Sequence, residues 1–110
     1  MRQTAIIAAA ILSAFAVTTA DAASIKGLAF GCITRGTTEQ LTQFQIEKDT
    51  VAFGKLLQAS GLTGDCIVLQ PGTTVTVGDT SGYSGLTLAC VRPRGETSCF
   101  WTLENGNIDY

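Results

Sequence analysis

The chain has 110 residues, seven Lys and Arg, nine Asp and Glu, no histidine and four cysteines, for a formal charge of −2. This length fits one domain, and scattered charges without a basic block exclude a surface for a phosphate backbone, so no nucleic-acid partner is expected. The lack of histidine removes the usual general base and the commonest neutral metal ligand, and with it Ser/His/Asp and Cys/His catalysis.

The start, Met1-Arg2-Gln3-Thr4, is followed by an uncharged run from Ala5 to Thr19 and by Ala20-Asp21-Ala22. A positive n-region, an apolar stretch and small residues at Ala20 and Ala22 form the pattern of a cleavable secretory signal peptide over residues 1–22. The run is Ala-rich, shorter than the ~20 strongly apolar residues of a span, and lacks a basic stop-transfer flank. Residues 23–110 are therefore expected as a periplasmic or secreted mature chain with no membrane span. A lipid anchor on Cys32 would leave three cysteines, an odd number, to pair among themselves.

Residues 25–34 have loose strand character, with Ile25, Phe30 and Ile33 as packing candidates. Thr37 with Gln40 three residues on reads as a capping box, and Leu41 and Phe44 follow at helical spacing. Asp49 is a second N-cap, Val51, Phe53, Leu56 and Leu57 form an apolar stripe, and Gly61 fits the end. The expectation is one helical region over residues 38–60, kinked or broken near Glu47 to Asp49.

After Gly64 the period changes to two. Cys66 to Leu69 is a strand, Gln70-Pro71-Gly72-Thr73 a turn and Thr74 to Val77 a second strand. Gly78 to Gly82 reads as a loop. Leu86 to Arg92 and Thr97 to Leu103 read as strands around Pro93-Arg94-Gly95-Glu96, and Ile108 closes a short strand after the Asn105-Gly106 turn.

Cys32, Cys66, Cys90 and Cys99 all fall in the mature part, and an even count in a small exported domain predicts two disulfides. A tight turn between Arg94 and Gly95 sets Cys90 opposite Cys99, within disulfide reach. By elimination Cys32 joins Cys66. On the chain-entropy estimate the longer loop contributes about 3.5–4 kcal/mol and the shorter about 2.5–3 kcal/mol. This register also puts Leu88, Cys90, Arg92, Thr97, Cys99 and Trp101 on one face and Ala89, Val91 and Phe100 on the other. With apolar groups on both faces, the sheet should curl into a small barrel on one side and meet the helix on the other.

Leu69-Gln70-Pro71-Gly72-Thr73-Thr74-Val75-Thr76-Val77, then Val91-Arg92, Gly95-Glu96-Thr97 and Trp101, resembles the bacterial SH3-like domain, over residues 64–108. Trp101 lies about two positions later than in that pattern, and a Cys90/Cys99 pair is not general to it. The resemblance implies a five-stranded, partly open barrel. The whole mature chain also resembles a group of short exported bacterial proteins ending in a similar Gly-Glu-Thr…Trp-Thr segment, which implies architecture and no activity. The fold class expected is α+β, with residues 25–62 forming a strand and helical region packed on an SH3-like antiparallel barrel of residues 64–108, stapled by two disulfides.

No Cys-x-x-Cys occurs, so neither a zinc knuckle nor a thioredoxin-type pair is signalled. Asp65, Asp79, Glu96 and Glu104 supply carboxylates for glycoside hydrolysis, but nothing around them marks a cleft. No catalytic residue, metal or cofactor is expected. What remains is binding to a protein segment or cell-wall peptide, for which the loop and hairpin positions nominate Tyr83, Trp101, Arg92, Arg94, Asp79 and Glu96. The competing reading is a periplasmic inhibitor or immunity-type protein that blocks a hydrolase with the 78–85 loop or the 93–96 hairpin tip.

Overall fold

A computed structural model describes residues 22–110. The predicted signal peptide lies outside the described residues except for Ala22, which opens the first strand and pairs with Thr76.

The elements run in the order β1 (Ala22–Ile25), β2 (Ala29–Cys32), α1 (Arg35–Ile46), α2 (Thr50–Thr63), β3 (Cys66–Leu69), β4 (Thr74–Tyr83), β5 (Leu86–Pro93), β6 (Phe100–Leu103) and β7 (Ile108–Asp109). All seven strands join one antiparallel sheet in the order β3-β2-β6-β5-β4-β1-β7. The class is α+β, as expected, with the sheet curled into a half-barrel. Two strands precede the helices, however, and both are integral to the sheet. β2 lies between β3 and β6, and β1 between β4 and β7, so residues 64–108 reach their full set of neighbours only through residues 22–32.

Two cores result, one on each face. On the concave face Ala23, Ile25, Leu69, Val75, Ala89 and Val91 are buried together, with Ala29, Ile67, Val77 and Ile108 against them. On the convex face Phe30, Cys32, Leu41 and Cys66 form the second core, covered by Phe53, Leu56 and Leu57 of α2. Phe30 and Phe53 meet edge to face at 5.5 Å. α1 turns the stripe Thr38, Leu41 and Thr42 inward, the i, i+3, i+4 spacing of one helical face.

Several boundaries differ from the sequence reading. α1 begins at Arg35, three residues before the expected start, so Thr37 lies inside the first turn and forms no cap. The entry is fixed instead by Asp65, whose carboxylate accepts the Thr34 N–H at 3.1 Å and whose carbonyl accepts the Ile33 N–H at 2.7 Å. The expected break near residues 47–49 is present. Lys48 adopts φ +60°, and the Asp49 carboxylate accepts the Ala52 N–H at 3.0 Å to start α2. α2 continues past Gly61 to Thr63, where Gly64 at φ +83° ends it in the left-handed conformation that glycine tolerates best.

Residues 78–82, expected as a loop, belong to β4. The ladder with β5 holds from Val75↔Pro93 to Val77↔Val91, shifts at residues 78–79, and resumes from Thr80↔Ala89 to Tyr83↔Leu86. Gly78 and Asp79 together oppose Cys90, a bulge that absorbs the extra residue. Ser84 and Gly85, at φ +50° and +78°, make the two-residue turn that fits the twist of a hairpin.

The β5–β6 register is also corrected. Cys90 faces Trp101, not Cys99, because Pro93 remains in β5 and residues 97–99 stay outside β6. The shift is two residues, which preserves the faces. Cys99 still reaches Cys90 from just beyond the strand, with Cα atoms 5.3 Å apart. Both expected disulfides are present, Cys32–Cys66 joining directly opposed residues of β2 and β3.

Candidate functional site

A single row of side chains crosses four strands. Cys66 of β3 pairs with Cys32 of β2, Cys32 with Trp101 of β6, and Trp101 with Cys90 of β5. The single tryptophan of the chain thus stands between the two disulfides. α1 crosses above it. Thr38 Oγ1 donates to the Trp101 carbonyl at 2.8 Å, and the Arg35 guanidinium carbon lies 5.7 Å from the ring centroid, a cation–π arrangement. Arg35 Nε is 3.7 Å from Glu39 Oε2, and its Nη1 is 3.5 Å from Ser81 Oγ on β4. Two residues along β4, the Tyr83 hydroxyl donates to Gln43 Oε1 of α1 at 2.9 Å.

Of the six residues nominated from sequence, the structure brings Tyr83 and Trp101 together under one flank of α1. Both are half-buried and both bond to α1, so part of each serves to clasp helix to sheet. Arg92, Arg94 and Glu96 lie apart at the β5–β6 turn, all exposed. There the Glu96 N–H donates to the Pro93 carbonyl at 3.0 Å, the Arg94 N–H to the Thr74 carbonyl at 3.1 Å, and Arg92 Nη1 to the Glu96 carbonyl at 3.4 Å. Asp79 sits exposed in the β4 bulge. Arg35 was not legible as a site residue; its sole signal was the Glu39 at i+4.

Three concavities among the described residues lie elsewhere. β2 and β6 meet at the one pair Cys32↔Trp101, and beyond it Ala29 and Phe30 face Thr102 and Leu103 across a cleft of about 280 Å³ that Leu28, Gln45, Asn105 and Asn107 complete. Around Phe30 it adjoins an apolar trough of about 210 Å³ bounded by Leu28, Phe30, Phe53, Leu57 and Val68. A wider hollow of about 510 Å³ continues past Phe53 to Phe44, Lys48, Asp49 and Thr50. Gln45 lines all three. Sequence reasoning did not nominate this groove, at which Leu28 is 68% exposed and Val68 52%.

Its lining mixes neutral polar and apolar groups. The carboxamides of Gln45, Asn105 and Asn107 offer neutral donors and acceptors beside apolar side chains. Among the described residues no group of three His, Cys, Asp or Glu is placed to hold a metal. Two of the four carboxylates considered for hydrolysis have structural partners: Asp65 binds the Thr34 N–H, and Glu104 accepts the Tyr110 hydroxyl. That hydrogen bond, with burial and the Glu104 charge, pushes the Tyr110 phenol up to about 12.

Comparison with family models, curated proteins and solved structures returns no match. Among the described residues no helix is long and apolar enough to cross a membrane.

Proposed function

We propose that the chain is an exported, non-enzymatic binding module of the periplasm or the extracellular medium, and that its ligand is a protein segment or cell-wall peptide. The observation that carries this reading is the open groove, with the apolar trough of Phe30, Phe53, Leu57 and Val68 continuing into the carboxamides of Gln45, Asn105 and Asn107. An extended peptide suits it, with an apolar side chain in the trough and main-chain amides against the carboxamides. The Arg35–Trp101 shelf is a second contact surface on the other side of α1. Two disulfides fit an oxidising compartment, as does the charge pattern of residues 1–22.

The SH3-like reading is part of this proposal. It draws support from the motif strands Val75-Thr76-Val77 and Val91-Arg92 lying side by side, with Val77↔Val91 and Thr76↔Arg92 as direct partners and Trp101 on the next strand. It must accommodate β1 and β2, which come from outside the motif region.

The test is co-sedimentation of the oxidised mature chain with isolated peptidoglycan sacculi, with Leu28→Asp probing the groove and Trp101→Ala the shelf. Retention that falls with Leu28→Asp supports the groove; retention lost only with Trp101→Ala moves the site to the shelf. Failure to bind sacculi or any purified wall peptide overturns the cell-wall ligand. The inhibitor reading has its own observation, the exposed residues 94–96 pinned at Thr74 and the buried Pro93. It requires a 1:1 complex with a hydrolase that Arg94→Ala weakens and Leu28→Asp does not.

A further inference from the structure

β3 forms one edge of the sheet. In an antiparallel ladder, opposed residues that exchange no hydrogen bonds have Cα atoms near 4.5 Å apart, and those that do, near 5.5 Å. Cys32 and Cys66 are 4.0 Å apart, which makes them a non-bonded pair. The Ile33 N–H donating to the Asp65 carbonyl one step away fits this phase. Ile67 and Leu69 therefore bond to β2, and Cys66 and Val68 turn their N–H and C=O groups outward. Among the described residues no hydrogen bond outside the β2–β3 ladder reaches these outward groups.

Natural sheet edges are commonly blunted by lysine, proline, a bulge or a covering element. Cys66-Ile67-Val68-Leu69 carries no charge and no proline, and Val68 is half exposed. We propose that this edge is an interface with a second copy of the chain, paired antiparallel about a two-fold axis through Ile67.

The occupant follows from self-complementarity. Centred on Ile67, Cys66 of each copy meets Val68 of the other as a bonded pair, and the two pairs use all four outward groups. Ile67 meets its own copy on the concave face, extending the core to which it already contributes. The nearest charge, Asp65, falls opposite Leu69, so no like charges face each other. A four-residue strand falls short of the ~800 Å² per partner that a stable interface buries. α2 supplies further surface. It packs over β3, and its fourteen residues include one charge, Lys55. The same two-fold axis lays the two α2 helices antiparallel on one side of the sheet.

This interface does not rest on the ligand reading, and the experiment separates the two. Sedimentation velocity of the oxidised mature chain, up to about 200 µM, should show a concentration-dependent dimer. Val68→Lys should weaken it by about tenfold or more while circular dichroism and both disulfides stay native. Leu28→Asp should leave it unchanged whatever it does to ligand binding. Under mild oxidation Ile67→Cys should form a covalent dimer through residue 67, and Val68→Cys should not, because residue 68 faces residue 66 of the other copy. A monomer across the whole range, a dimer indifferent to Val68→Lys, or equal cross-linking by the two cysteine variants would overturn the proposal.

Discussion

Gly31 lies in β2, next to the point where β2 meets β6. A Cβ at this position would stand 2.9 Å from the Phe100 Cβ, 3.1 Å from Leu69 Cδ1 and 3.5 Å from the Trp101 carbonyl oxygen. The Leu69 methyl ends a flexible side chain and can swing away. The Phe100 Cβ is fixed to its backbone, so β2 and β6 would have to separate beside their one recorded pair, Cys32↔Trp101. Overpacking of this kind costs about 1–3 kcal/mol. Replacing glycine by alanine returns about 0.5–1 kcal/mol by restricting the unfolded chain. Gly31→Ala should therefore destabilise by about 1–2 kcal/mol, a fall in Tm of roughly 5–15 °C for a domain this small. Gly54→Ala in α2, where an added Cβ meets nothing within 4 Å, should instead stabilise by about 0.5–1 kcal/mol. Thermal melts of both variants followed by circular dichroism decide the matter. A Gly31→Ala protein melting at or above the parent would refute the close approach of β2 and β6.

The disulfides should differ in weight. Their sequence separations of 34 and 9 predict losses of about 3.8 and 2.7 kcal/mol when each pair is changed to alanine, so denaturant melts should rank Cys32/Cys66 as the costlier. Thr38→Val keeps the shape but removes the donor to the Trp101 carbonyl, and should cost about 1–2 kcal/mol, with Thr38→Ser largely restoring stability in the same melts. For Tyr110 the folded pKa of about 12 exceeds the unfolded value near 10. The folded state therefore holds the proton more tightly, so its contribution is complete below about pH 10 and is lost as pH rises toward about 12. Stability measured against pH should decline in that window, and Tyr110→Phe should remove this share of the decline.

The parts of the fold visible in the sequence are those where local chemistry and tertiary pairing agree. Cys66 to Leu69, the Pro71-Gly72 turn with Gly72 at φ +86° and the Asn105-Gly106 turn with Gly106 at φ +78° stand where residue type places them. Departures occur where pairing overrides composition. Gly78-Asp79-Thr80-Ser81-Gly82 has the composition of a loop, but it runs opposite β5, and the ladder with a bulge satisfies its backbone better than solvent exposure would. Thr37 and Gln40 match a capping box, yet contacts from Asp65, distant in sequence, set the helix start earlier. The same limit governs the candidate site. Tyr83 and Trp101 stood out as aromatic residues near turns, whereas Arg35 joins them only because α1 crosses β6. Leu28 and Val68 carry no mark of a site in the sequence, and only the fold sets them beside Phe30 at a groove.

The Cys32–Trp101–Cys90 row also gives the protein a built-in optical property. A disulfide accepts an electron from an excited indole at contact range, and this indole has one on either side. The oxidised protein should thus emit weakly for a tryptophan-containing chain, and reduction should brighten it even before unfolding. Because Trp101 is the sole tryptophan, that change reports thiol status directly, without a label.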